Sequence, residues 1–357
     1  NIILFPFFKE IFKMTKQNLK NRIYSAVFIA LVLITVFASN TYKRIYKSNI
    51  NKTSFLYIPS GSDYHDVITI LKSDSILNNL KSFQWLAQKK NYPNHVYPGR
   101  YKLDSGMSNT NIINKLRSGH QDPVRVVFNS IRTFEQLAGK ISKQIEADSI
   151  SLLYTFRNDS IISVYGFKPE TFSCMFIPNT YEFWWNTSAK SYVARMSKEY
   201  KAFWNTDRLR KAKELNFTRE EVITLASIVD EETYFNDEMP RVAGVYINRL
   251  KKRMHLQADP TLKFALGDFT IKRVLNAHKQ IDSPYNTYKR YGLPPGPISI
   301  PSTAAIDAVL NYEKHSYLYF CAKPDFSGYH NFAKTLSQHN INAREYQRAL
   351  NKEKIWR

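Results

Sequence analysis

The run IYSAVFIALVLITVFAS, residues 23–39, carries no charge, and it limits this chain more than any other feature. Its length is near the lower limit for a helix that crosses a bilayer. Lys16, Lys20 and Arg22 precede it, and Lys43, Arg44 and Lys47 follow. A cleavable signal peptide is the rival reading. Its apolar stretch is usually shorter, however, and Phe37-Ala38-Ser39-Asn40 is a poor cleavage pattern. The expectation is an uncleaved single-pass helix over 23–39, with residues 1–22 on the cytoplasmic side. The short side is the N-terminal one, and no second span returns the remainder of the chain. Met14 opens a conventional start, MTKQNLKNR, so residues 1–13 are expected to be an upstream extension.

The formal net charge is +21 and the pI about 9.7. That balance favours an anionic partner: nucleic acid, an anionic membrane surface or an acidic polymer. There is no zinc finger, no RNP motif and no Arg-rich arm, and the basic residues are interleaved with acids in the C-terminal half. Nucleic acid is therefore not an expected partner. Cys174 and Cys321 are too few for a disulfide scaffold; a bridge between them or simple burial are the two readings. No Cys/His cluster has metal-ligand spacing.

The fold class expected is α+β. Residues 40–54 are polar and read as a linker. Residues 55–122 read as a small α+β unit. A strand ends at Pro59; a helix carries Val67, Ile68 and Leu71; a second helix covers 81–90; a turn into a strand lies in 97–108; and a helix over 109–119 closes at a Gly. Residues 123–357 read as a larger α+β domain. It opens with a strand at 123–130 and has helices near 133–146, 189–206, 218–235, 237–252 and 302–311, with a strand at 317–322.

In the larger domain, EVITLASIVDEETYF places Val222, Leu225, Ile228 and Val229 at the spacing of a helix with one buried face. At about 100° per residue, Glu232 falls roughly 20° from that face, while Asp230 and Glu231 fall roughly 120–140° away. Asp230 and Glu231 thus read as solvated acids, and Glu232 points with the apolar side chains. A carboxylate there costs free energy unless protonated, paired or needed. Two readings follow. In one, Glu232 caps the helix end or pairs with an Arg. In the other it is a catalytic acid whose pKa is raised by apolar surroundings.

Downstream, RVAGVYINRL (241–250) reads as a core helix. LQADPT sets Gln257, Asp259 and Thr261 on one side of an extended segment, with capping of a helix from Pro260 as the alternative for Asp259. SPYNTYKRYGLPPGPI stiffens a loop carrying Asn286, Thr287 and Tyr288. GYHNFAKTLSQHN adds His330, Phe332 and Asn340, with a purely structural His330 as the alternative. Amide, hydroxyl and aromatic groups on stiff loops suit a sugar polymer, whose rings offer apolar faces and many hydroxyls.

LASIVDEET, QADPT, YNTYKRYGLPPGPI, YLYF and HNFAKTLSQHN, in this order and spacing, resemble the blocks of the MltG/YceG-like endolytic murein transglycosylases. IPSGS, FQWL, YPGRY and FIPNTYEFWW extend the resemblance over roughly residues 20–350. The resemblance implies an inner-membrane anchor, a LysM-like small domain at 55–122 and a catalytic domain in the periplasm. It implies cleavage of nascent glycan strands between N-acetylmuramic acid and N-acetylglucosamine, leaving 1,6-anhydro ends. The family's catalytic acid falls on Glu232. Where the family often has Pro-Asp-Thr, this chain has Pro178-Asn179-Thr180, so no acid/base task falls on Asn179. Gln257, Asp259, Thr261, Asn286, Thr287, Tyr288, His330, Phe332 and Asn340 are the candidates for holding sugars or orienting Glu232. No cofactor or metal is expected. Peptidoglycan strands and the inner membrane are the implied partners, and peptidoglycan synthases are a further candidate. A hydrolytic muramidase and a noncatalytic wall-binding scaffold are the alternatives.

Overall fold

The computed structural model describes residues 4–271 and 273–353, so the outermost ends of the expected 1–22 and 123–357 segments lie outside the described residues. The chain divides into two compact units, residues 1–123 and 124–357.

The first unit begins with a helix over Leu4–Tyr46. Its part from Lys16 to Tyr46 is long and apolar enough to cross a membrane, and the side chains of its apolar stretch are exposed. This helix runs through much of the expected 40–54 linker, and Asn49 and Ile50 beyond it are buried. The reason lies in the helix terminus, whose last carbonyls need partners. Asn109 Nδ2 donates to the Arg44 carbonyl at 2.8 Å and Thr110 Oγ1 to the Ile45 carbonyl at 3.1 Å.

The rest of the unit is an antiparallel strand pair, Ser54–Ile58 with Gly99–Leu103, and three helices, Tyr64–Ser73, Leu80–Lys89 and Asn109–Ser118. Side-chain caps start each helix: Asp63 with a reciprocal Asp66 bond, Asn79 and Ser108. Alternate strand residues Leu56, Ile58, Tyr101 and Leu103 meet Val67, Leu71, Phe83, Ile112 and Leu116 in one core.

The second unit is mainly helical. Two antiparallel strand pairs, Val124–Val127 with Thr180–Phe183 and Tyr319–Ala322 with His330–Ala333, flank it. At its centre the helices Arg219–Glu232, Met239–Lys251 and Thr303–Leu310 pack on one another. Val222, Leu225, Ile228 and Val229 are buried there, as their spacing requires. The expected helix over 189–206 is found as Ala189–Phe203, and a further helix, Thr206–Glu214, follows it. The Asn205 side chain accepts from Arg208 N–H and starts the second one. The expected helix over 218–235 stops at Glu232, where Thr233 turns extended. The strand pair at 319–333 lies between the Met239–Lys251 helix and a final helix, Leu336–Lys352, that the sequence pattern did not announce. The two cysteines are free.

Candidate active site

Glu232 closes its helix at the wall of a polar cavity of about 310 Å³. The Arg219–Glu232 helix supplies Glu232, and the Met239–Lys251 helix supplies Tyr246 and Arg249. The Leu256–Asp259 segment adds Gln257 and Asp259, and the proline-rich loop adds Tyr288. The strand pair contributes Phe320, Cys321, Ala322 and His330, and the last helix contributes His339.

Glu232 is half-buried, and among the described residues its side chain is hydrogen-bonded by the buried Tyr246, whose hydroxyl donates to Oε1 at 2.6 Å. Burial raises the carboxyl pKa to about 7; Asp259 adds to the rise, while the Tyr246 bond, Lys263 and Arg249 oppose it. Its place in the last helical turn, at the negative end of the backbone dipole, works in the same direction as burial. The carboxyl therefore holds its proton close to neutral pH. Neither part of the structural alternative applies: Glu232 makes no ion pair among the described residues, and its side chain caps no backbone group.

The two acids before it are partly buried and held by partners, where the helical wheel leaves them as free surface acids. Asp230 accepts from Ser302 N–H at 3.1 Å and Ser302 Oγ at 2.6 Å, and burial raises its pKa. Glu231 forms a two-bond ion pair with Arg132 at 3.0 and 2.7 Å. The wheel assigned the outer flanks to water because it could not know that the loops at Arg132 and Ser302 cover them.

Of the sugar-binding candidates, Gln257, Asp259, Tyr288 and His330 line the cavity with Glu232. The stretch 256–261 is not extended throughout: a helix runs over Asp259–Leu266, and the Asp259 side chain does not cap it. Asp259 instead accepts a 2.5 Å bond from the Tyr288 hydroxyl. His330 is held from behind by the buried Glu238. Its backbone N–H donates to Oε1 at 2.8 Å, and Nδ1 lies 2.8 Å from Oε2.

Thr261, Asn286 and Thr287 do not reach the cavity. All three are buried, and their polar groups are spent on structure. Thr261 Oγ1 bonds the Ala258 carbonyl and Thr287 Oγ1, while Asn286 Nδ2 donates to the Lys279 and Ile281 carbonyls. They fix the shape of the loops that carry Gln257 and Tyr288. Phe332 packs on Tyr317 and Phe320 beside the cavity, and Asn340 is exposed on the last helix, one residue past the cavity-lining His339.

The sequence pattern does not single out the cavity-lining Tyr246 and Arg249, because the 241–250 segment reads as plain core. A signal was available: a Tyr and an Arg three apart on the face of a buried helix need polar partners. Arg249 is buried, and its Nε and Nη1 donate to the Leu318, His255 and Leu256 carbonyls.

Fold and cavity together define a protein of mixed helix and sheet with a membrane-length helix and a polar cleft at whose wall a glutamate is held by a tyrosine hydroxyl. A family model described as the YceG-like family matches residues 56–345, and the chain belongs to that family. It is 31% identical over 314 residues to an endolytic murein transglycosylase of Bacillus subtilis, covering 83% of this chain and 85% of that one. It is 27% identical over 335 residues to one from Streptococcus pneumoniae, covering 84% of this chain and 59% of that longer protein. A crystal structure of a YceG-like protein from Listeria monocytogenes superposes with a TM-score of 0.55 at 30% identity, over 81% of this chain and 98% of that chain.

Proposed function

We propose that this chain is a membrane-anchored lytic transglycosylase that cuts peptidoglycan glycan strands internally, and that Glu232 is its acid and then its base. The observation that carries the proposal is the carboxyl of Glu232, lining a polar cavity and held there by the Tyr246 hydroxyl, in surroundings that raise its pKa to about 7. Its proton goes to the glycosidic oxygen as the bond to the muramic acid C1 breaks, and the oxygen leaves as the hydroxyl of N-acetylglucosamine. The carboxylate so formed takes the proton of the muramic acid's own C6 hydroxyl as O6 closes on C1. One glycosidic bond is lost and one anhydro ring is gained, and the carboxyl ends as it began. Atoms balance without water, metal or cofactor. Tyr246 holds the carboxyl in one orientation through both proton transfers. Gln257, Tyr288 and His330 offer an amide, an aromatic face and an imidazole to the sugars. The membrane helix keeps the cleft in the periplasm near newly made strands, and the small unit helps seat the glycan.

Asp259 favours one rival. A hydrolase uses two carboxylates, and Asp259 lines the same cavity as Glu232. The two readings part on the product ends. Mass analysis of digested murein should find muramic acid ends lighter by one water than reducing ends. Reducing ends as the first product would replace this reading with hydrolysis, and no new ends would leave only wall binding.

A further inference from the structure

A second polar cavity, of about 470 Å³, lies in the first unit where the membrane helix ends. Lys43 and Arg44 from that helix and Lys47 just past its end line it, and no carboxylate does. Its floor is polar and internally hydrogen-bonded. Buried Asn49 donates to Asn109 Oδ1 at 2.6 Å and to the Asn79 carbonyl at 3.1 Å, and Asn109 donates to Ser82 Oγ at 2.9 Å. Arg44 is steadied over the Trp85 ring at 5.7 Å. Three cations with no acid among them, around a prebuilt floor, form a receptor for an anion.

Position along the helix says which anion. The uncharged stretch ends at Ser39, so the three cations follow it by four to eight residues. At 1.5 Å per residue that is about 6–12 Å past the hydrocarbon edge, the depth of lipid headgroups. We infer that this cavity binds the phosphate of an anionic lipid headgroup, and so fixes the height and tilt of the small unit above the membrane. Flanking lysines anchor many membrane helices without forming a site. Here the helix end is locked to the buried floor, because Asn109 donates to the Arg44 carbonyl, and the cations therefore stand around one shared, open-mouthed cavity.

The test is native mass spectrometry of the full chain in detergent, titrated with phosphatidylglycerol, with phosphatidylcholine and with inorganic phosphate. One phosphatidylglycerol should stay bound at concentrations where phosphatidylcholine does not. Changing Lys43, Arg44 and Lys47 together to Gln should weaken it by about two orders of magnitude, at roughly 1 kcal/mol per cation near the surface. Arginine at 43 and 47 should preserve it, which separates loss of charge from loss of fold. Equal retention of both lipids, or an unchanged triple variant, overturns the inference. Displacement by millimolar inorganic phosphate would mean a free-phosphate site, and would overturn the lipid assignment.

Discussion

Glu232 sits in the last turn of a buried helix, with one oxygen on the Tyr246 hydroxyl and the cavity on its other side. Its folded pKa, about 7, is raised above the usual value of 4.5, chiefly by burial. Between those two pH values the folded state holds a proton that the unfolded state has released, so stability falls as pH rises through that window. At about 1.4 kcal/mol per pKa unit, the loss above pH 7 is on the order of 3 kcal/mol. Glu232→Gln cannot lose that proton, and its amide oxygen can still accept from Tyr246. Melting curves at pH 5 and pH 8 should show the wild type losing this increment and the variant keeping it; parallel losses would mean the carboxyl ionises freely. The direction of Glu232 was legible in the sequence because the spacing of Val222, Leu225, Ile228 and Val229 fixes the buried face. Its partner was not, since a tyrosine fourteen residues away in another helix is placed only by packing.

Helix ends, rather than helix faces, are where reading the sequence and solving the fold diverge. The apolar spacing located the helices that carry Glu232 and Tyr246, while Asn205 and Thr233 set boundaries that periodicity does not see. Thr261, Asn286 and Thr287 look like sugar-binding groups because loops that bind sugars and loops that must hold themselves rigid use the same residue types. Only burial separates the two uses. The Met239–Lys251 helix shows how closely the elements around the cleft are fitted. A Cβ on Gly244 would lie 2.5 Å from the Glu313 carbonyl oxygen and 2.6 Å from His315 Nε2. Alanine in a helix is worth about 1 kcal/mol over glycine, but overpacking costs about 1–3 kcal/mol. Gly244→Ala should therefore lower the melting temperature, and its activity should fall with the displacement of Tyr246 and Arg249 on the same helix. A more stable Gly244→Ala would show that the loop at 313–315 yields freely.

At the scale of the molecule, the chain joins a membrane-length helix, a small unit locked onto that helix by Asn109 and Thr110, and a helical unit that carries the cleft. The uncharged run and the α+β class were legible from composition and periodicity. The locking was not, because it depends on side chains 65 residues from the carbonyls they cap. The account rests on a single proton at residue 232, and the most direct measurement is the rate at which purified murein acquires anhydro ends. The wild type should make them, with activity falling above about pH 7 as the carboxyl ionises. Glu232→Gln, folded by circular dichroism, should be slower by about 10²–10⁴-fold or more. Anhydro ends formed by Glu232→Gln at the wild-type rate would contradict the account.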